Sequence, residues 1–235
     1  MQNLILASTS TVHGQGYLEY LKPTLKTFFS GVRELLFIPY ARPGGITHEE
    51  YTAQAEQFFA QLDIAVVGLY TFKEPVLAIK NAQAIFTGGG NTFVLVNALH
   101  HNGQMAALRA KLFSGTPYLG TSAGTNICGV NMQTTNDMPI VYPPSFKTLG
   151  MIPCNINPHY LDPIAGSTHM GETRQTRIEE FHSQNSIPVI GLREGSWLAV
   201  SGESIVLKGP HSARLFKQHS SPKELPTDTA IQSYL

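Results

Sequence analysis

The stretch Pro117-Tyr-Leu-Gly-Thr-Ser-Ala-Gly124 decides how the rest of this 235-residue chain is read. Its first half, Pro117–Thr121, is an apolar run of strand length, and its second half consists of small residues suited to an abrupt helix start. Within it, Gly120-Thr121-Ser122-Ala123-Gly124 fits the G-x-S-x-G pattern. There a serine sits on a strained strand-to-helix bend with its hydroxyl raised above the sheet. Glycines two residues to either side let strand and helix approach closely. The helix start supplies unpaired N–H groups and a positive dipole end, both favourable to a developing oxyanion. Chance alone gives about 0.13 such matches in a chain of this composition, so the flanking strand is what makes the motif informative.

Upstream, apolar runs alternate with amphipathic stretches. Strands are expected at Leu4–Ala7, Glu34–Pro39, Ile64–Tyr70 and Ala82–Thr87, and helices at Gly16–Phe29, Thr47–Leu62, near Glu74–Asn81, from the turn Gly88–Phe93 through Leu99, and at Gln104–Phe113. Thr47 and Glu50 have the spacing of a capping box. This alternation predicts the α/β class, a mostly parallel sheet sandwiched by helices. Strands covered on both faces read as continuous apolar runs, as these do.

Downstream, Met151–Ile156 is a further apolar strand. After about residue 190 the rhythm shortens: Ile187–Leu192, Ser196–Ser201, Ser204–Lys208 and Ala213–Lys217 predict a short antiparallel β meander at one edge. The polar, Pro-containing residues 221–235 read as a surface tail on a single domain spanning 1–235.

Sixteen basic and sixteen acidic side chains cancel, so charge points to neither nucleic acid nor membrane as a partner. A charged ligand must then be held by a few placed groups. The N-terminus lacks the basic start and long apolar run of a signal peptide, and no run reaches membrane-spanning length, so a cytoplasmic protein is expected. Cys128 and Cys154 are too few for a disulfide scaffold and read as reduced, half-buried thiols.

A nucleophilic serine needs a base, and the base needs an orienting carboxylate. Of nine histidines, His159 directly follows the strand at Met151–Ile156, at the carboxyl edge where ligand sites gather in open α/β sheets. His13 and His169 lie in loops and stay open, while His48, His100, His101, His182, His211 and His219 are expected to be solvated. No zinc-ligand spacing is present. Two acids compete to orient the histidine. Asp137 lies in the polar turn Thr135-Asn-Asp-Met-Pro139, and Glu194 immediately follows the strand Ile187–Leu192; either could equally be an ordinary turn acid. The glycines of Gly88-Gly-Gly-Asn91 free a backbone N–H to pair with that of Ala123 at an oxyanion, with Gly90 the candidate. A phosphate-cradling loop or a plain turn are the other readings of that segment, although neither the GxGxxG nor the GxxxxGK[ST] pattern is present.

Seven segments together resemble the peptidase E, or α-aspartyl dipeptidase, family: Phe37-Ile-Pro-Tyr-Ala41, Gly88-Gly-Gly-Asn-Thr-Phe93, Gly120-Thr-Ser-Ala-Gly124, Thr134-Thr-Asn-Asp-Met-Pro-Ile140, Ile156-Asn-Pro-His159, Gly171-Glu-Thr-Arg-Gln-Thr-Arg177 and Gly191-Leu-Arg-Glu-Gly-Ser-Trp197. The resemblance implies a class I glutamine-amidotransferase-like fold with serine at the bend, and metal-free, cofactor-free hydrolysis of small Asp-Xaa peptides. It implies Ser122 as nucleophile, His159 as its histidine, and Gly90 and Ala123 as oxyanion donors. Asp137 matches the acid usually assigned to the charge relay, with Glu194 the alternative third member, and Arg174 matches an arginine that holds the substrate aspartate side chain. The chain departs at Thr121, where relatives carry a bulky aromatic, and a looser pocket is the expectation. Rival expectations are a cyanophycinase-like β-aspartyl peptidase and a non-catalytic peptide binder; a homodimer stays open.

Overall fold

Each strand of the central sheet sends alternate side chains to opposite faces, and this produces two cores. In the computed structural model, which describes residues 1–163, 166 and 171–235, Leu4 and Leu6 of β1 (Asn3–Ala7) enter one core while Ile5 and Ala7 enter the other. Leu36 and Ile38 of β2 (Glu34–Ile38) part from Leu35 and Phe37 in the same way. Both faces must therefore be covered. Helices α1 (Lys22–Phe28) and α2 (His48–Phe59) cover one face. The other is covered by α3 (Pro75–Asn81), α4 (Thr92–His101), α5 (Gln104–Phe113) and the short α6 (Ala123–Asn126). Fully burying one Leu or Phe contributes about 1.5–3 kcal/mol, so these two cores hold the sheet in place.

With β3 (Ala65–Gly68), β4 (Ile85–Thr87), β5 (Tyr118–Thr121), β8 (Trp197–Ser201) and β9 (Ser204–Lys208), the main sheet runs β3-β2-β4-β5-β1-β8-β9. The first five strands in that order are parallel, and β8 and β9 close one edge antiparallel. A second sheet, ordered β11-β10-β7-β6, contains β6 (Asn155–Pro158), β7 (Val189–Leu192), β10 (Ala213–Phe216) and β11 (Lys223–Leu225). Helix α7 (Arg174–His182) precedes β7.

The expected mostly parallel, helix-covered sheet is thus present, with four local corrections. The single C-terminal meander is split: β8 and β9 join the main sheet, while β7 pairs parallel with β6 and antiparallel with β10 in the second. The expected helix at 16–29 is interrupted, because Leu18 adopts φ 56° and only a 3-10 turn at Glu19–Leu21 precedes α1. Residues 221–235 contain β11 and a buried Ile231, and Ala230 bridges Val206 on β9, so the segment is tied down where a tail was expected. His182, expected to be solvated, is buried and bonds Ile187 O at 3.0 Å. The capping box is made as expected, Thr47 Oγ1 accepting from Glu50 N–H and Glu50 accepting from Thr47 N–H. Among the described residues no helix is long and apolar enough to cross a membrane.

Candidate active site

The bend after β5 is built by close contacts that only glycine permits. Ser122 adopts φ 51°, ψ −109°, a region sparsely used by residues with a side chain. A Cβ on Gly124 would lie 2.1 Å from Thr87 O, and one on Gly120 would lie 2.5 Å from Gly124 O. Thr125 Oγ1 fastens the bend by donating to Ala7 O and Gly120 O, at 2.7 and 2.8 Å. The neighbouring glycine loop presses on the serine from above, since a Cβ on Gly89 would come within 3.0 Å of Ser122 Cβ. Gly90 holds φ 143° with its Cβ position blocked by Ala41 O. Among the described residues neither the Gly90 nor the Ala123 N–H meets an acceptor, as an oxyanion-binding pair requires.

His159 arrives from the second sheet. It follows the last residue of β6 and takes φ 53°, a left-handed conformation that swings the imidazole back over the bend. Its backbone is tied on both sides. His159 N–H donates to Ser8 Oγ at 2.8 Å, Ser8 Oγ donates to Leu192 O at 2.7 Å, and Asn136 Nδ2 donates to Pro158 O at 2.7 Å. As a result His159 Nε2 stands 2.9 Å from Ser122 Oγ and Nδ1 stands 2.6 Å from Glu194 Oε1. A carboxylate has no hydrogen to give, so Nδ1 donates to Glu194, which leaves Nε2 as acceptor for the serine hydroxyl. Glu194 occupies a turn closed by Ser196 N–H to Arg193 O at 3.2 Å, with Gly195 at φ 83°. Arg193 anchors that turn through paired bonds to Asp162 and Glu224.

Of the two acids left open by the sequence, Glu194 meets the imidazole and Asp137 makes no hydrogen bond to it among the described residues. Its Oδ2 accepts from Thr92 N–H at 2.7 Å and from Thr135 Oγ1 at 2.9 Å. It does share with Ser122, Ala123, His159 and Arg174 the lining of one cleft of about 200 Å³. Burial pulls the Arg174 guanidinium below its ordinary value, Arg177 adds to this and Asp137 opposes it. Thr121 is fully buried and is not among the residues that line the cleft.

His169 lies outside the described residues. Both cysteines are fully buried and free, and burial pushes Cys154 up to about 12 and Cys128 higher, so neither supplies a thiolate at the bend. Among the described residues no three His, Cys, Asp or Glu side chains gather as a metal-holding group. Ser8 and Asn136 went unnoticed in the sequence. For Ser8 the available signal was its place immediately after the first strand, at the carboxyl edge.

A helix-flanked parallel sheet carrying serine, imidazole and carboxylate in hydrogen-bonded order defines a serine hydrolase of the α/β class. Residues 4–208 match the model of Peptidase family S51, and the chain belongs to that family of serine peptidases. It is 47% identical to a Streptomyces coelicolor protein named Peptidase E, over 99% of this chain and 95% of that one. It is 46% identical to a Drosophila melanogaster protein named "Probable alpha-aspartyl dipeptidase", over 95% and 93%. The crystal structure of a peptidase from an acI-B1 actinobacterium shares the fold at TM-score 0.72 and 18% identity, covering 97% of this chain and 96% of that one. A Listeria monocytogenes structure does so at 0.68 and 22%, covering 89% and 99%.

Proposed function

We propose that this chain hydrolyses dipeptides with an N-terminal aspartate, using Ser122 as nucleophile, His159 as general base and Glu194 as the orienting acid. The observation that carries the catalytic part is the continuous line from Glu194 through His159 to Ser122, at 2.6 and 2.9 Å. As Ser122 Oγ attacks the scissile carbonyl, His159 Nε2 takes its proton. The oxyanion then rests on the Ala123 and Gly90 N–H groups; losing one such donor typically costs about 3 kcal/mol of transition-state stabilisation. The imidazolium returns its proton to the departing amine, leaving an aspartyl ester on Ser122. Water attacks this ester with His159 again as base, and aspartate is released.

The aspartate part rests on Arg174 and on the names of the relatives. A partly desolvated guanidinium in the cleft binds a carboxylate at two points, which an ammonium does less well. A cytoplasmic setting agrees with two thiols kept free. The test is turnover of aspartyl-leucine against glutamyl-leucine, β-aspartyl-leucine and N-acetyl-aspartyl-leucine. Aspartyl-leucine is expected to be cleaved fastest. Preferred cleavage of the β-linked peptide would instead make the chain cyanophycinase-like, and no turnover with no labelling of Ser122 by a fluorophosphonate would make it a binder.

A further inference from the structure

Tyr51 stands outside the cleft, behind the glycine loop that follows β4. Its ring is fully buried on the first turn of α2, the turn that the Thr47–Glu50 capping box fixes. Phe37 meets it edge-on with ring centroids 5.0 Å apart, and the Arg42 guanidinium lies 4.9 Å from its centroid. The tip of the ring fills the space of a Gly88 side chain, since a Cβ there would lie 2.5 Å from the Tyr51 hydroxyl. That hydroxyl donates to Gly89 O at 3.2 Å. Gly89 is itself buried, and its carbonyl accepts from no other group among the described residues. Burial raises the phenol above its ordinary value, so the proton stays available to donate.

Gly89 C=O and Gly90 N–H belong to one peptide unit, and in a planar trans peptide the two point opposite ways. A carbonyl drawn toward Tyr51 therefore sends the Gly90 N–H to the other side of the loop. Rotated by half a turn, the same peptide would present its oxygen where the N–H now points, and an oxygen there repels an oxyanion. Glycine on both sides of the bond makes such a rotation cheap, so the orientation needs an outside tie. We propose that Tyr51 is a positioning residue: its hydroxyl holds the Gly89–Gly90 peptide with the N–H turned toward the oxyanion. The same bond polarises the peptide and makes that N–H a stronger donor. Without the hydroxyl, a buried carbonyl is left unpaired and gains by turning away. This rests on the serine mechanism proposed above and extends it to a side chain that touches no substrate.

The experiment compares wild type with Tyr51→Phe, which keeps the ring and deletes the hydroxyl. On aspartyl-leucine kcat is expected to fall about 10- to 100-fold, with KM within about twofold of wild type. Two inhibitors separate positioning from loss of structure. The aldehyde of aspartate adds Ser122 Oγ at its carbonyl carbon and so places an oxyanion against the two N–H groups, whereas the corresponding alcohol cannot. Tyr51→Phe is expected to weaken the aldehyde by the same factor as kcat and the alcohol hardly at all. An unchanged kcat, or equal weakening of both inhibitors, overturns the proposal while leaving the aspartyl function standing. A wild type that does not cleave aspartyl-leucine overturns both. If Tyr51→Phe fails to fold, Tyr51→Met, which fills much of the same space without a hydroxyl, is read by the same pair of inhibitors.

Discussion

The two halves of the hydrogen-bonded line Glu194–His159–Ser122 are held in different ways. Ser122 is fixed by steric exclusion: Gly89, Gly120 and Gly124 each stand where a Cβ would strike a neighbour, and the bend is locked by hydrogen bonds to β1 and β5. His159 and Glu194 sit on the second sheet with side chains 36% and 47% exposed. They are held by polar ties from distant segments, through Ser8, Asn136 and Arg193. Steric exclusion leaves a compact local motif. Polar ties are distributed over the whole chain, so each can be cut singly with a graded result.

Four substitutions sharpen that contrast. Ser122→Ala removes the proposed nucleophile without touching the glycine contacts, so kcat on aspartyl-leucine should fall by on the order of 10⁵ or more while circular dichroism and the melting curve stay as in wild type. Retained turnover would rule out this serine. Glu194→Gln keeps the shape of the turn but not the charge that selects the histidine tautomer, and a loss of about 10³-fold in kcat is expected; retaining a tenth of wild-type activity would exclude Glu194 from the line. Ser8→Ala removes the acceptor of His159 N–H and the donor to Leu192 O. A stability loss of about 1–3 kcal/mol by urea titration is expected, with a fall in kcat larger than any change in KM.

The smallest effect concerns acid. Hydrogen bonds from Arg193 hold the Asp162 and Glu224 carboxyls below the usual carboxylate range. Because the unfolded chain takes up those protons first, the stabilisation is complete above the ordinary value of about 4 and disappears as pH falls through the depressed folded values. Both acids are about half exposed, so Arg193→Met should cost only about 1 kcal/mol at pH 7. The gap to wild type should narrow at pH 3; a constant gap across that range would mean the arginine acts by packing alone.

What could be read from the sequence follows the same division. The bend at 120–124 and the parallel strands were legible because glycine spacing and apolar runs are local. Asp137 and Glu194 could not be ranked, since one lies near the bend in sequence and the other near the imidazole in space, and only the pairing of β6 with β7 brings residues 159 and 194 together. The meander was read as one sheet because short alternating strands do not announce their partners. The break in the expected helix at 16–29 hinged on Leu18, whose left-handed backbone is stabilised by a bond from its N–H to Ser10 O that no periodicity reveals.

A contact that spans two separately paired sheets also works as a seating gauge. Ser122 rides on the main sheet and His159 on the other, and their separation is kept by cross-links such as Asn126 Nδ2 to Ile156 O at 3.0 Å. Slippage of about an ångström between the sheets would unseat the imidazole while every helix persists. In mild denaturant, turnover should therefore vanish before the far-ultraviolet signal begins to fall.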